Sequence, residues 1–151
     1  MRAVVQRVKK ASVAVEKQIV SEISEGFLVL LGISKKDQKS DSDYIIEKIL
    51  NLRVFSDEND KFNPSLIDVQ GEILIVSQFT LYGDARKGRR PNFDEAANGE
   101  TARRVYEDFV SDIKNKYDQT KIKTGIFAAM MEVLLINDGP VTILLDSEKK
   151  F

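Results

Sequence analysis

One unbroken apolar run constrains the fold of this chain more than any other feature. Residues 26–33 read Gly-Phe-Leu-Val-Leu-Leu-Gly-Ile and are bounded by charged and polar segments. An apolar run of strand length, bounded in this way, predicts a strand that is buried on both faces. The fold must therefore cover this strand from both sides.

Other stretches predict further strands. Residues 2–8 and 11–15 are rich in Val and Ala, and 19–23 is expected to pair with 11–15 through a turn at 16–18. The remaining predicted strands are 73–76, 122–124, 130–136 and 141–145, with a turn at 137–140 between the last two. About eight strands are expected in all.

Two segments have helical periodicity instead. In the first, Ser40 or Asp41 is the expected N-cap, and apolar residues recur at helical spacing through 45–52. The second runs from about 99 to 116, with Asn98 as its N-cap. The helices do not alternate regularly with the strands. The expected class is therefore α+β, with largely antiparallel sheets and two main helices.

Missing residue types limit the chemistry. The 151 residues are taken as one domain spanning 1–151, and they include neither Cys nor His. Disulfides, thiolate metal sites, a Ser-His-Asp triad and the commonest metal ligand are thereby excluded, and no metal or cofactor is expected. No apolar run approaches the roughly 18 residues of a membrane span. The segment 1–7 lacks the features of a secretory signal, so a cytoplasmic location is expected.

The first motif, Ser77–Leu81, reads Ser-Gln-Phe-Thr-Leu and follows a predicted strand. A strand end of this kind offers hydroxyls, an amide and backbone N–H groups that can stabilise an oxyanion. Thr80 is a candidate nucleophile or proton shuttle, but its hydroxyl needs a neighbouring base. Asp84 is the nearest acid in the sequence. Taken alone, the motif is more simply a strand that runs out into a polar turn.

The second motif, Asn137–Thr142, reads Asn-Asp-Gly-Pro-Val-Thr and contains the Gly139-Pro140 bond. The cis form is uncommon at bonds before proline but far more accessible there than elsewhere. In a cis turn, two successive carbonyls would point so that backbone alone could grip an ammonium group. Composition alone favours an ordinary turn between strands.

A local basic patch interrupts a nearly neutral chain. Arg86, Lys87, Arg89 and Arg90 place four cations within five residues, whereas the net charge of the chain is −1. Such a patch suits a phosphate-bearing ligand of limited size. On charge alone, a solvated loop explains the same residues equally well.

The two motifs together resemble the signature pair of D-aminoacyl-tRNA deacylases. They occur in the family's order, about 60 residues apart. The similarity extends over essentially the whole chain. Supporting segments are Met1–Val8, the basic-loop residues Lys87-Gly88, Arg90-Pro91 and Phe93, and Thr124-Gly125 with Phe127. Ala128 departs from the pattern, because glycine is expected there.

The resemblance implies a homodimer with a barrel-like core and active sites at the subunit interface. The implied reaction is hydrolysis of the ester that joins a D-amino acid, or glycine, to the 3′ end of tRNA. The implied catalytic residues are Ser77, Gln78, Phe79 and Thr80. Substrate binding would involve Gly139, Pro140, Asn137, Phe127 and Met130, and tRNA binding would involve Arg86, Lys87, Arg89 and Arg90.

The resemblance also implies a mechanism that suits a chain without histidine. Each Gly139-Pro140 turn would be cis and would reach into the partner's pocket, where an L-residue would drive its Cβ into the turn's backbone. Glycine has no Cβ and would pass the same filter. Substrate-assisted hydrolysis through the terminal ribose 2′-OH would leave Thr80 to act through its backbone and its hydrogen bonds. Whether Thr80 is a nucleophile stays open.

Two alternatives remain open at this stage. A sister branch of the same fold edits L-alanine misplaced on threonine tRNA, with a trans Gly-Pro bond and a different first motif. A non-catalytic RNA-binding module would need the basic loop alone, without a pocket. Phe79 within the first motif favours the D-specific branch.

Overall fold

The apolar run at 26–33 forms a strand, Gly26–Gly32, in the interior of the sheet. Its side chains alternate between two separate cores, as successive residues of a strand must. Phe27 and Val29 pack with the helices, whereas Leu28 packs in a second cluster on the opposite face. The predicted burial of this strand on both faces is confirmed.

The computed structural model describes residues 1–150. In chain order, the strands of the sheet are β1 (Arg2–Val15), β2 (Gln18–Ile23), β3 (Gly26–Gly32), β4 (Glu72–Ser77), β5 (Ile122–Thr124) and β6 (Glu132–Asp146). The α-helices are α1 (Lys39–Asn51), α2 (Leu66–Val69) and α3 (Gly99–Lys116). Two short 3-10 turns, Phe79–Tyr82 and Gln119–Lys121, complete the described elements.

Strand β1 organises the sheet. Its first half pairs with β3, its second half pairs with β2, and β6 runs antiparallel along its other edge. Strands β3, β4 and β5 are parallel neighbours, so the sheet is mixed. The Ser21 hydroxyl donates to the Thr124 carbonyl at 2.6 Å and links β2 to β5. The sheet thus curls into a nearly closed barrel, and the expected α+β barrel-like core with two main helices is confirmed.

The predicted count of strands was wrong in two places. Residues 2–8 and 11–15 form one continuous strand, β1. The predicted stretch 130–136 begins in the structure only at Glu132, and it is joined with 141–145 in one strand, β6. The segment 137–140 does not reverse the chain. Because β1 pairs with β6 on both sides of this segment, the extra residues are accommodated as an irregularity in the register.

The two long helices begin close to the predicted positions. Asn98 caps α3, since its side-chain oxygen accepts a hydrogen bond from the Thr101 N–H at 2.9 Å. The N-cap of α1 is Gln38 and not Ser40 or Asp41; Asp41 instead accepts from the Gln38 N–H at 2.8 Å, as the third residue of a capping box. Within residues 1–150, no helix combines the length and apolarity that a membrane crossing requires.

Candidate active site

A cavity of about 610 Å³ lies where the end of β4, the start of α3 and the segment 127–133 meet. Its walls are mostly apolar, with the polar residues Ser77 and Gln78 at one side. The predicted site residues that line it are Ser77, Gln78, Phe79, Phe127 and Met130. The structure therefore places the first motif next to two of the residues expected to bind substrate.

The first motif leaves the sheet in a tight turn. The Gln78 N–H donates to the Leu31 carbonyl of β3 at 2.7 Å, and the 3-10 turn Phe79–Tyr82 follows directly. The side-chain amide of Gln78 donates to the Thr80 hydroxyl. The Thr80 hydroxyl oxygen is therefore oriented by an amide donor, and no hydrogen bond within residues 1–150 gives it a basic partner.

Backbone N–H groups are the notable polar feature of this turn. The first N–H groups of a helical turn have no partner within the turn. Within residues 1–150, no hydrogen bond uses the N–H groups of Phe79 and Thr80, and both residues are exposed. Two adjacent, unpaired N–H groups beside a cavity can stabilise a developing oxyanion.

The basic loop is attached to this site through an aromatic pair. Phe93 packs edge-on against Phe79, with ring centroids 5.1 Å apart. Asp84 and Asn92 exchange two backbone hydrogen bonds, of 2.7 and 2.8 Å, at the base of the loop. The loop that carries the cations is therefore joined to the first motif, whose Phe79 lines the cavity.

One of the four predicted cations of the loop is engaged internally. Arg86 donates to both carboxylate oxygens of Asp84, at 2.8 and 2.6 Å. These hydrogen bonds hold the pKa of the Asp84 carboxyl below its usual range. Lys87, Arg89 and Arg90 are exposed and form no ion pair within residues 1–150. They are the cations of the loop that are free to meet phosphate.

Aromatic packing positions the far wall of the cavity. The Phe127 ring lies 5.5 Å from the buried Tyr106 ring, and the Arg103 guanidinium lies 4.9 Å from the Phe127 centroid. Tyr106 donates its hydroxyl to the Ile75 carbonyl at 2.9 Å, and burial raises the pKa of this phenol. Met130, in contrast, is 92% exposed at the rim of the cavity.

Ala128, the residue at which the family pattern predicts glycine, has unusual backbone geometry. Its φ is +63°, in the left-handed region that disfavours residues with a Cβ. It also lines the cavity. The departure from the family pattern therefore falls at a position where the backbone itself favours glycine.

The second motif forms the irregular segment of β6. The Gly139-Pro140 bond is cis, and both residues are exposed. Gly139 has φ +124°, and a Cβ built there would lie 2.7 Å from a Val141 methyl group, so only glycine fits. Asn137 accepts a hydrogen bond from the Val141 N–H at 2.9 Å and closes the segment.

Arg7 anchors this segment and was missed by the sequence interpretation. Its Nε lies 3.2 Å from the Asp138 carbonyl and 3.0 Å from the Asp138 carboxylate, and its Nη1 donates to the Val54 carbonyl at 2.5 Å. The residue is only 7% exposed. The sequence did contain an indication of its burial: Arg7 occupies the next position in the alternation of Ala3 and Val5, which face the protein interior. A charge in phase with a buried face is uncommon and needs partners.

The two motifs do not meet within one chain. Ser77 pairs with Leu31 of β3. Leu31 pairs with Ala3 of β1, and Ala3 pairs with Leu145 of β6. The first motif is therefore three strands away from β6, and the second motif lies further along β6 than Leu145. Measured along the sheet, three strand spacings amount to about 14 Å, and the offset along β6 adds to this. The second motif is not part of the cavity wall.

The arrangement offers backbone donors, hydroxyls and an amide. Within residues 1–150, no group of three or more carboxylates is placed to hold a metal ion. The residues of the cavity can orient a carbonyl group and stabilise negative charge on its oxygen. They supply no side chain that titrates near neutral pH in its unperturbed state, since the chain has no histidine.

Comparison with known proteins places these observations in a family. The family model described as D-Tyr-tRNA(Tyr) deacylase matches residues 4–146. A protein named D-aminoacyl-tRNA deacylase from Thermosipho africanus (strain TCF52B) is 58% identical over 151 residues, and one of the same name from Clostridioides difficile (strain 630) is 59% identical; each alignment covers all of both chains.

Two solved structures share the fold. One, described as c-Myc DNA Unwinding Element Binding Protein, is 47% identical with a TM-score of 0.93, covering 97% of this chain and 98% of that one. The other, described as a probable eukaryotic D-amino acid tRNA deacylase, has a TM-score of 0.79 and covers 95% of this chain and 97% of that one. At 17% identity, this second likeness shows the fold alone.

Proposed function

The chain belongs to the D-Tyr-tRNA(Tyr) deacylase family, and from this premise we propose that it hydrolyses the ester of D-aminoacyl-tRNA. The observation that carries the proposal is that the N–H groups of Phe79 and Thr80, two exposed residues, form no hydrogen bond within residues 1–150, and that Phe79 lines a cavity of about 610 Å³. Acyl transfer depends on such donors, because negative charge develops on the carbonyl oxygen. The products are free tRNA and a free D-amino acid.

The proposed mechanism relies on backbone groups and on the substrate. Water attacks the ester carbonyl carbon, and the N–H groups of Phe79 and Thr80 stabilise the oxyanion. The bond to the ribose 3′ oxygen then breaks, and that oxygen takes the proton that the attacking water gives up, relayed through the neighbouring 2′-OH. Gln78 orients the Thr80 hydroxyl, which acts by hydrogen bonding. An activated ester makes positioning of this kind sufficient.

Rejection of L-amino acids is proposed to come from the second motif. The carbonyls of Gly139 and Pro140, which are exposed residues, would bind the substrate's α-ammonium group, so that recognition does not depend on the side chain. An L-residue held in this way would place its Cβ against the Gly-Pro backbone, whereas glycine has no Cβ and would pass. The anchor through Arg7 supports such a filter, because rigid backbone discriminates by steric clash.

Because the two motifs are far apart in one chain, the filter requires a second copy. We propose a homodimer in which the second motif of each subunit enters the cavity of its partner. Exposed apolar side chains on and beside β6 supply a surface for this contact. They are Met130, Leu134, Ile136 and Leu144, with Ile19 on β2. Closed two-fold dimers are the commonest assemblies of soluble chains.

The tRNA is proposed to contact the basic loop. Lys87, Arg89 and Arg90 are exposed, and the loop is attached to the first motif through the Phe79–Phe93 pair. A phosphate backbone that enters the cavity with its 3′ end would pass these cations. We further propose a cytoplasmic location, since aminoacyl-tRNA is the substrate.

The test is hydrolysis of D-Tyr-tRNA and L-Tyr-tRNA under identical conditions, with Gly-tRNA as a third substrate. The wild-type protein is expected to release D-Tyr and Gly and to leave L-Tyr-tRNA intact. Gly139→Ala should abolish release, because the Cβ has no space. Lys114→Ala, an exposed change on α3, is the matched control and should behave as wild type. Equal rates on both Tyr enantiomers, or no hydrolysis, would contradict the proposal.

The same assay also distinguishes two alternative functions. Hydrolysis of L-Ala-tRNA(Thr) with rejection of D-Tyr-tRNA would assign the chain to the sister editing activity. Binding of tRNA without hydrolysis of any ester would indicate a nucleic-acid-binding module. In that case, substitutions at Gln78 or Pro140 would leave every measured property unchanged.

A further inference from the structure

We propose that Arg2 is a positioning residue that holds the Phe79–Tyr82 turn in its active geometry. Its Nη1 donates to the Leu81 carbonyl at 2.9 Å, and its guanidinium lies 4.5 Å from the centroid of the Tyr82 ring. Arg2 therefore contacts the last two residues of the turn that presents Phe79 and Thr80. This inference rests on the deacylase function proposed for that turn.

The turn needs an attachment at its far end. Its start is attached to β3, since the Gln78 N–H donates to the Leu31 carbonyl at 2.7 Å. Within the turn, the Leu81 N–H donates to the Gln78 carbonyl at 3.3 Å. The bond from Arg2 attaches the other end to β1. With both ends attached, the N–H groups of Phe79 and Thr80 have a defined direction.

The side chain of Arg2 is itself fixed by an ion pair with Asp146. Its Nε donates to the Asp146 carboxylate at 3.2 Å, and Asp146 is only 3% exposed. The second carboxylate oxygen accepts from the Glu148 N–H at 2.8 Å, so the carboxylate has a fixed orientation. The Arg2 side chain is 27% exposed, and its charged hydrogen bonds are thus partly shielded from water. The planar guanidinium can bond Leu81 and Asp146 at the same time, which an ammonium group cannot do with the same geometry.

The expected consequence is kinetic. The N–H groups of Phe79 and Thr80 act on the charge of the transition state, so their displacement lowers kcat more than it raises KM. A displacement of about 1 Å in catalytic geometry can cost about 100-fold in rate. Loss of an attachment that is remote from the substrate should therefore reduce kcat by about 10-fold.

Four variants separate positioning from stability. Arg2→Met removes the bond to Leu81 and also removes the ion pair with Asp146. Asp146→Asn also breaks the ion pair but leaves Arg2 able to bond Leu81. Arg2→Lys keeps a donor for the Leu81 carbonyl and is the conservative variant. Lys36→Met removes a nearby cation that pairs with Glu95 and forms no hydrogen bond or ion pair with the turn; Lys36 and Arg2 both line one surface groove.

The variants are assayed for kcat and KM on D-Tyr-tRNA, for melting temperature, and for amide hydrogen exchange of the segment 78–83. Arg2→Met should lower kcat about 10-fold with KM changed less than about twofold, and exchange in 78–83 should accelerate. Arg2→Lys should recover part of the loss, and Asp146→Asn and Lys36→Met should keep kcat within about threefold of wild type. If Arg2→Met fails to fold, the kcat values and the exchange rates of Arg2→Lys and Asp146→Asn are compared instead.

The outcomes distinguish this inference from the proposed function. An inactive wild-type protein contradicts the deacylase proposal, and the exchange of 78–83 then decides the role of Arg2 by itself. An active wild type with unchanged kcat and unchanged exchange in the Arg2 variants overturns the positioning role. Losses of kcat that follow melting temperature equally in Arg2→Met and Asp146→Asn overturn it as well, because they indicate a general structural role.

Discussion

The Arg7 guanidinium on β1 holds Asp138, the residue before Gly139, through contacts of 3.2 Å to its carbonyl and 3.0 Å to its carboxylate. A third contact, from Nη1 to the Val54 carbonyl, fixes the guanidinium to a neighbouring loop. The second motif is therefore exposed to solvent, but its backbone is held in place by Arg7. Its position depends on a buried cation more than a hundred residues earlier in the chain.

Arg7→Lys should weaken both activity and discrimination. Lysine keeps the charge but cannot form the planar fork that reaches Asp138 and Val54 together. We expect kcat/KM on D-Tyr-tRNA to fall by about 10-fold, which corresponds to roughly 1.4 kcal/mol. Release of L-Tyr relative to D-Tyr should increase, because the Gly-Pro backbone loses its anchor. Lys10→Arg, an exposed change on the same strand, is the control; an unchanged D-to-L ratio in Arg7→Lys would contradict the role of the anchor.

Ala128→Gly should stabilise the protein. Ala128 has φ +63°, which is costly for a residue with a Cβ and costs glycine little. The backbone strain that glycine removes from the folded state outweighs the conformational entropy that it adds to the unfolded state. We expect the free energy of unfolding to rise by about 0.5–1 kcal/mol. Urea denaturation measures this directly. Ala129→Gly is the matched control and should destabilise by a similar amount, since Ala129 is not in the left-handed region. Destabilisation in both variants would count against the interpretation.

Stability should decline at alkaline pH because of buried tyrosines. Burial raises the pKa of Tyr106 and of Tyr82 above the ordinary value of about 10. Below pH 10 both states keep the phenol proton, and the stabilisation by each group is fully present. Above pH 10 the unfolded state loses this proton first, so the stabilisation is lost as the pH rises through the folded-state pKa. Each such group lowers the free energy of unfolding by at most about 1.4 kcal/mol per pH unit above pH 10.

The measurement is urea denaturation between pH 8 and pH 11, at intervals of about 0.5 unit. Tyr106→Phe should reduce the slope of unfolding free energy against pH above 10. It should also cost about 1 kcal/mol at pH 8, through loss of the hydrogen bond to Ile75. Tyr44→Phe removes a hydroxyl from a less buried ring on α1 and is the control. Identical slopes in Tyr106→Phe and wild type would refute the argument.

The cations of the basic loop should differ in their effect on tRNA binding. Arg89→Ala should weaken binding of deacylated tRNA and reduce the slope of log K against log salt by about 0.7 to 1, as expected for one lost phosphate contact. Arg86→Ala should change the slope less, because Arg86 is already paired with Asp84. Binding titrations at three or more salt concentrations test this. Equal slopes for the two variants would show that the Arg86–Asp84 pair opens on binding.

Local sequence patterns predicted elements that depend on nearby residues. The run at 26–33, the N-cap Asn98 and the pairing of 19–23 with 11–15 are confirmed. Each depends on periodicity, capping or a short connection, which are properties of neighbouring residues. The interpretation failed where a distant strand decided the outcome. Residues 137–140 have the composition of a turn, yet they continue β6, because β1 pairs with the chain on both sides of them.

The residue types of this chain limit the chemistry that is available to it. The absence of His and Cys leaves backbone donors, hydroxyls and an amide as the groups of the first motif, and the two motifs indicate the family. The separation of the two motifs in one chain, and the contacts of Arg7 and Arg2 with one motif each, follow from the folded arrangement of β1 and its neighbours. Strand pairing and buried ion pairs join residues that lie far apart in the chain. Their energies depend on burial and direction, which no local pattern of residues specifies.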